Sequence, residues 1–240
     1  MQKLFVDYVP EGEVILDREQ TRHIIKSLRM RQGDMLFLSC GDGFDYGCMI
    51  EDCSGETARL SVCYAQPNNS EPTVKVSLYQ GVPKGDKMED IIQKCTELGV
   101  TEITPTLTHR SVSRPDEKAA GKKNQRYQKI ALEASQQSGR GTVPVINKMD
   151  SLKNAVVNDK SELKILFYEG GGEPLSKIIK KDLKSVSVYI GPEGGFEKEE
   201  VEYLKEQGAV VASLGKRILR TQTAPVCALT AIMLLTGNLE

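Results

Sequence analysis

An apolar, β-branched run, Val186-Ser187-Val188-Tyr189-Ile190, halts at Gly191-Pro192-Glu193-Gly194-Gly195, and a helix-like pattern follows through Leu204 to Gly208. A short apolar run closed by glycine is the mark of a buried strand. Strand, glycine turn and helix in succession are the unit from which parallel sheets are built. Glycines in such a turn leave the backbone bare, so its N–H and C=O groups can approach a ligand closely. A second bare stretch, Leu214-Gly215-Lys216-Arg217-Ile218-Leu219-Arg220-Thr221-Gln222-Thr223, lies downstream, and the two read as walls of one site. As a plain strand-to-helix turn, the first stretch needs nothing beyond its glycines. As a phosphate cradle it fails, being neither GxGxxG nor GxxxxGK[ST]. Lys216 and Arg217 do not repair the spacing, and Glu193 within the turn repels a polyphosphate. A ligand with positive charge or several hydroxyls fits better.

The same alternation extends backwards from this turn. From Thr73 onward, strands are predicted over 74–78, 102–105, 143–146, 163–167, 186–190 and 210–214. Helices are predicted over 116–138, 151–158, 177–181, 197–207 and 224–235, with another before Gly99 that gathers Met88, Ile91, Ile92, Cys95 and Leu98 on one face. Asp86 and Glu89 have the spacing of a capping box for it, and Gly99 suits the position just past its end. A mostly parallel sheet with helices on both faces follows, and in such sheets ligands gather at the carboxyl ends of the strands. Both bare stretches fall there. The last helix is apolar nearly all round, from Val226 to Leu235, so it belongs in a core or against a partner subunit.

Residues 1–70 have a different texture. Short apolar runs at 4–6, 14–16, 35–38, 48–50 and 58–62 alternate with turn residues and predict a small β-rich domain. One helix, over 19–30, places Arg22, Lys26 and Arg29 on a single stripe. Gln66 to Pro72 reads as a linker, which gives domains at 1–70 and 73–240.

Charge is unevenly placed along the chain. Between His109 and Arg140 there are eight Lys/Arg against three Asp/Glu, although the whole chain carries a formal charge of −1. This excess is either a phosphate-binding surface or a solvated helix face. With two histidines and no paired cysteine spacing among its six cysteines, the chain offers no metal site by sequence, and reduced thiols in a cytoplasm are the expectation. No apolar run reaches the length of a membrane span, and the first residues lack a signal-peptide core.

Five stretches together carry a resemblance: HIIKSLRMRQG (His23 to Gly33), QKCTELGV (Gln93 to Val100), RYQKIALEASQQSGR (Arg126 to Arg140), IGPEGGF (Ile190 to Phe196) and LGKRILRTQTA (Leu214 to Ala224). In this combination and spacing the chain resembles, nearly end to end, the ribosomal RNA small-subunit methyltransferase E family of the SPOUT superfamily. The resemblance implies a PUA-like β-barrel domain for RNA, then an α/β SPOUT-type domain with a parallel sheet and a C-terminal trefoil knot. It implies S-adenosylmethionine as methyl donor, S-adenosylhomocysteine as product, no metal, and a homodimer. The implied substrate is a uridine of 16S rRNA in the small ribosomal subunit, methylated at N3. Cofactor-binding positions would be Leu166, Phe167, Tyr168, Glu169, Ile190, Gly191, Pro192, Glu193, Gly194, Gly195, Leu214, Gly215, Arg217, Ile218, Leu219, Thr221 and Thr223.

The chemistry of the residues agrees with this. A sulfonium cation is not repelled by Glu193, and the loop Tyr168-Glu169-Gly170-Gly171-Gly172 supplies a third bare wall. Methyl transfer rests mainly on alignment and needs no metal. Uracil N3 must lose a proton, so Arg220 or Arg110 is expected to stabilise the charge that develops on the uracil oxygens. Arg22, Lys26, Arg29, Arg114, Lys122, Lys123, Arg126 and Arg140 are expected to hold RNA phosphates. One departure stands out: the family usually reads Leu-Arg-Thr-Glu-Thr where this chain has Gln222, which keeps hydrogen bonding but loses a charge. An ordering role for that position is compatible with Gln222, a proton-accepting role is not. The departure also leaves open a non-catalytic RNA-binding or ribosome-assembly protein on the same fold.

Overall fold

The structure, a computed structural model, describes residues 2–239. It comprises two units: the chain up to Glu71 with Ser135–Val143, and Pro72–Ala134 with the chain from Pro144 onward.

In the first unit, β1 (Gln2–Phe5) and β2 (Glu13–Ile15) precede a short helix α1 (Arg18–Arg22) that runs into a π turn (His23–Ser27). Strands β3 (Met35–Ser39), β4 (Phe44–Asp52) and β5 (Arg59–Pro67) follow, and the sheet order is β1-β3-β4-β5-β2. Alternation along the strands sends Leu36, Leu38, Ile50 and Leu60 into one core with Leu4, Val14, Leu16 and Ile24. The single helix expected over 19–30 is therefore two pieces. Arg29, beyond the π turn, adopts φ 57°. Arg29 thus leaves the helical path, so Arg22, Lys26 and Arg29 do not form the single helical stripe expected, although all three are exposed.

The segment expected to be a linker is tied down by hydrogen bonds. Gln66 and Pro67 finish β5, and the Asn68 amide donates to Asp45 at 2.8 Å. The Glu71 carboxylate accepts from the Arg140 guanidinium at 2.7 Å, the Gly141 N–H at 2.9 Å and the Thr142 hydroxyl at 2.9 Å. Arg140 is 4% exposed. Its expected role on phosphate gives way to this one, because a guanidinium buried against a carboxylate leaves that partner only at high cost. Nearby, buried Lys3 reaches buried Asp45 at 2.8 Å and the Gly139 and Arg140 carbonyls at 3.0 and 2.9 Å.

Burial alone would raise the Glu71 carboxyl, but the hydrogen bonds and charge of Arg140, with Thr142 and Gly141, outweigh it and hold the group below its ordinary 4.5. A depressed carboxyl contributes stability that is present above the unfolded pKa and lost as the pH falls through the folded one. Wild type should therefore melt above Glu71→Gln at pH 7, and the gap should close as the pH drops below 4.5. A gap that stays constant between neutral and acid melts would contradict this.

The second unit begins with β6 (Lys75–Gly81), α2 (Lys87–Glu97), β7 (Glu102–Leu107) and α3 (Glu117–Ser138, its last turn belonging to the first unit). It continues with β8 (Val145–Ile146), β9 (Asp150–Ser151), α4 (Leu152–Asn158), β10 (Leu163–Phe167), β11 (Glu173–Pro174) and α5 (Leu175–Ile178). Strand β12 (Ser185–Ile190), α6 (Lys198–Glu206), β13 (Ala209–Ser213) and α7 (Ala224–Leu235) complete it. The sheet order is β11-β13-β10-β12-β6-β7-β8, with β9 also on β7, and these pairs are parallel. On one face Tyr79, Leu166 and Tyr189 pack with Leu152 and Val156 of α4 and with Val201 and Leu204 of α6. The Tyr79 and Tyr189 rings stack at 4.7 Å, and the Tyr189 hydroxyl donates to Asp159 at 2.7 Å. The alternate residues Leu78, Ile165 and Val188 are equally buried, and α7 contacts α2, α5, β6 and β12.

Helix α2 buries Met88, Ile91, Ile92 and Cys95, the expected face. Its end is a Schellman motif, with Gly99 at φ 89° and the Val100 N–H on the Cys95 carbonyl at 3.0 Å. The capping box at its start does not form. Asp86 has φ −95° and ψ 8° rather than extended backbone, its side chain caps nothing, and the Glu89 N–H goes to the Asp86 carbonyl. Helix α7 buries Ala228, Leu229, Ile232 and Met233 on one side, whereas Leu234 on the other is 55% exposed. Among the described residues no helix is long and apolar enough to cross a membrane.

Candidate functional site

Parallel pairing brings the carboxyl ends of β13, β10, β12 and β6 to one edge, in register at Ala212, Phe167, Ile190 and Gln80. The three bare stretches leave from the first three of these strands, so the expected walls are neighbours. Leu166, Phe167 and Ile190 are the buried last residues of their strands. Tyr168 and Glu169 begin the loop after β10, and Gly191 to Gly195 form the turn after β12. The segment after β13 carries Leu214, Gly215, Arg217, Ile218, Leu219, Arg220, Thr221 and Thr223, the last being the N-cap of α7.

The glycine turn is held from three sides. The Gly191 carbonyl accepts from the Thr221 hydroxyl at 2.9 Å. Glu193 accepts from Lys87 Nζ at 2.5 Å and from the Lys84 N–H at 3.2 Å. The Gly194 carbonyl accepts from Arg110 Nη1 at 2.6 Å, while Arg110 Nε and Nη2 grip Glu197 at 2.8 and 3.0 Å. These last bonds keep the Glu197 carboxyl below its ordinary range and raise the Arg110 guanidinium. Two expectations are revised. Glu193 is turned to the start of α2 instead of standing open to a cation, and Arg110 is engaged at every nitrogen as a brace of the turn. Arg220 differs: it is exposed, and no acid pairs with it among the described residues.

Space at the edge is limited by two glycines. A Cβ on Gly81 would come within 2.5 Å of the Pro192 nitrogen, so the end of β6 and the turn touch backbone to backbone. Gly195 sits at φ 70°, where a side chain is strained, and a Cβ there would approach the Glu169 carboxylate at 3.4 Å. The backbone N–H groups of Lys216 to Leu219 meet no protein acceptor among the described residues, and Ile218 is 84% exposed. Unmatched donors and the Glu169 carboxylate beside the glycine turn suit a ligand that combines acceptors with a cationic centre. Among the described residues no three His, Cys, Asp or Glu side chains converge as metal ligands would.

The remaining expected phosphate contacts are dispersed. Lys122 is exposed and Lys123 half-buried on α3, while Arg126 pairs with Glu89 at 2.7 Å. Arg114 donates to the Thr108 carbonyl at 2.7 Å with the rest of its side chain open. Two residues with clear places in the site went unmarked in the sequence. Glu197, the partner of Arg110, opens α6, and Gln80 lies buried at the end of β6 with its amide on Thr221 at 3.1 Å. A polar residue directly after the apolar pair Leu78-Tyr79 of β6 was the available signal for Gln80. The expected ordering role of Gln222 is not made through its amide oxygen, which is buried and meets no donor.

Residues 69–233 match the family model of an RNA methyltransferase domain, and residues 16–63 that of an RNA methyltransferase PUA domain. The ribosomal RNA small subunit methyltransferase E of Bacillus subtilis is 40% identical over 222 residues, covering 89% of this chain and 87% of the relative. A solved structure of the enzyme of the same name from Neisseria gonorrhoeae, bound to S-adenosyl methionine, superposes with a TM-score of 0.91 at 29% identity and covers 98% of both chains. A putative methyltransferase of Legionella pneumophila, solved with bound cofactor SAM, gives 0.89 at 31% identity over 97% of this chain and 96% of that one.

Proposed function

The chain belongs to the ribosomal RNA small subunit methyltransferase E family, and from that premise we propose that it transfers a methyl group from S-adenosylmethionine to N3 of a uridine in 16S rRNA. The observation that carries the proposal is the departure of three bare loops from adjacent strand ends, the third of them carrying the unmatched N–H groups of Lys216 to Leu219. When bound there, the cofactor supplies a methyl group activated by a sulfonium. The backbone of Leu214 to Leu219 and of Ile190 to Gly195 holds it, Glu169 faces its positive charge, and Leu166, Phe167 and Tyr168 close the site from β10. Thr221 and Thr223 fix the end of the third wall. No residue set for a metal is required, since alignment is the main task.

Arg220 meets the base. As N3 loses its proton, negative charge spreads to the uracil oxygens, and a guanidinium without an acid partner is free to receive it. The base must first leave its stack or come from a loop. Domains at 1–70 and 73–240 divide the labour: the PUA-like domain grips RNA through Arg22, Lys26 and Arg29, and the methyltransferase domain through Arg114, Lys122, Lys123 and Arg126. The crossing from β13, over the ends of β10 and β12, to Thr221 and α7 supports a trefoil knot. The open side of α7, with Leu234 exposed beside half-buried Val226, Cys227 and Ala231, supports a homodimer. The small ribosomal subunit is the substrate particle and the cytoplasm the place of action.

Transfer of a labelled methyl group to small-subunit rRNA, mapped by mass, tests this. Arg220→Ala should lower kcat by about 10²-fold while calorimetry with S-adenosylhomocysteine gives the wild-type affinity. Heat without transfer in the wild type would favour a non-catalytic RNA-binding protein. No heat at all would end the proposal.

A further inference from the structure

Gln80 has no exposed surface and lies on β6, between β12 and β7 in the sheet. Its amide nitrogen spends both hydrogens inside the protein, one on the Thr221 hydroxyl at 3.1 Å and one on the Gly81 carbonyl at 3.1 Å. Its amide oxygen is buried and meets no donor. A buried polar side chain with one unmatched atom is a net cost to folding that an apolar side chain of the same shape avoids. Folding therefore does not account for a glutamine here.

What the amide does is direct another group. Thr221 receives the hydrogen bond from Gln80 and donates its own to the Gly191 carbonyl at 2.9 Å. A hydroxyl has one proton, which rotates to suit its partners, and two acceptor lone pairs. The Gln80 hydrogen bond occupies one lone pair and disfavours rotamers that would point the proton towards the amide, which biases it towards Gly191. The relay thus joins β6, the segment after β13 and the first residue of the glycine turn, across 141 residues of chain between Gln80 and Thr221. Thr221 directly follows Lys216 to Arg220, so its seat decides where that bare segment lies.

We propose that Gln80 is a positioning residue that acts through Thr221, seating the 214–220 segment against the Gly191 turn so that the ligand-binding walls are preformed. The proposal rests on the cofactor reading above, and its test separates the two. Gln80→Met keeps length and removes the amide. Its dissociation constant for S-adenosylhomocysteine, measured by calorimetry, should rise about tenfold or more, while its melting temperature stays level or increases. Hydrogen exchange of the 216–221 amides, followed without any ligand, should quicken in the same variant. Thr221→Val should weaken binding to a similar degree, Thr221→Ser should restore it, and Gln80→Met combined with Thr221→Val should be no worse than Thr221→Val alone. Unchanged affinity and exchange in Gln80→Met overturn the proposal, as does strict additivity of the two losses. Lower melting with unchanged affinity would make Gln80 a packing residue only and overturns it too. If wild type gives no heat with S-adenosylhomocysteine, the cofactor reading fails, and hydrogen exchange still decides the role of Gln80.

Discussion

Gly81→Ala should cut methyl transfer by about a thousand-fold with the secondary structure intact. The added Cβ would lie 2.5 Å from the nitrogen and Cδ of Pro192 and 2.8 Å from the Gly191 carbonyl carbon. None of these atoms is the tip of a flexible side chain, so relief comes only by shifting the turn. Overpacking of this kind costs about 1–3 kcal/mol, and displacing a binding element by an ångström costs roughly 10²-fold in rate on top of it. Gly81 lacks a left-handed backbone angle, so alanine brings no dihedral strain to blur the result. Circular dichroism like that of wild type, with transfer and S-adenosylhomocysteine binding both lost, is the expected pattern. Near-normal transfer by this variant would mean that the turn is not a fixed wall.

The largest loss of stability is expected in the first unit, from Lys3→Met. Lys3 and Asp45 have side chains only 3% and 8% exposed, and the ammonium makes three further or shared bonds to Asp45, Gly139 and Arg140. Taking away one partner of a buried pair leaves the other charge without compensation, at about 3–5 kcal/mol. Ser39 and Asn68 still donate to Asp45, which argues for the lower part of that range. For a unit of this size, a melting temperature lower by more than about 10 °C follows. Scanning calorimetry measures it, and a shift of only a degree or two would show that Asp45 finds adequate donors elsewhere.

Much of the second unit was legible because its strands and helices follow their own periodicities, and the bare glycine stretches fall at strand ends. What escaped depends on contacts that no local pattern encodes. Asp86 has the spacing of a cap, but the chain enters α2 through a turn, so its side chain never reaches the helix. Arg140 is one more cation in a basic stretch until Glu71, far off in sequence, takes it out of solvent. Gln66 to Pro72 is polar and proline-bearing like a linker, yet it is anchored by Asn68 and Glu71. The π turn at His23 shifts the phase of a stripe that an α-helical count predicts. Arg110 is expected from the sequence to meet the substrate, and only its fork on Gly194 and Glu197 reveals that it braces the turn. The break in the apolar run can mark Gln80, but its role is legible only once β6 and Thr221 are seen together.

The wide chain separation between Gln80 and Thr221 bears on how the protein matures during translation. At about 5–20 residues per second, roughly 7–28 s pass between the synthesis of one partner and the other. During that interval β6 and α2 can already be made, while the pocket lacks its closing side. A product ending before Thr221 therefore carries all three loops but lacks the hydroxyl that ties the third of them to Gly191.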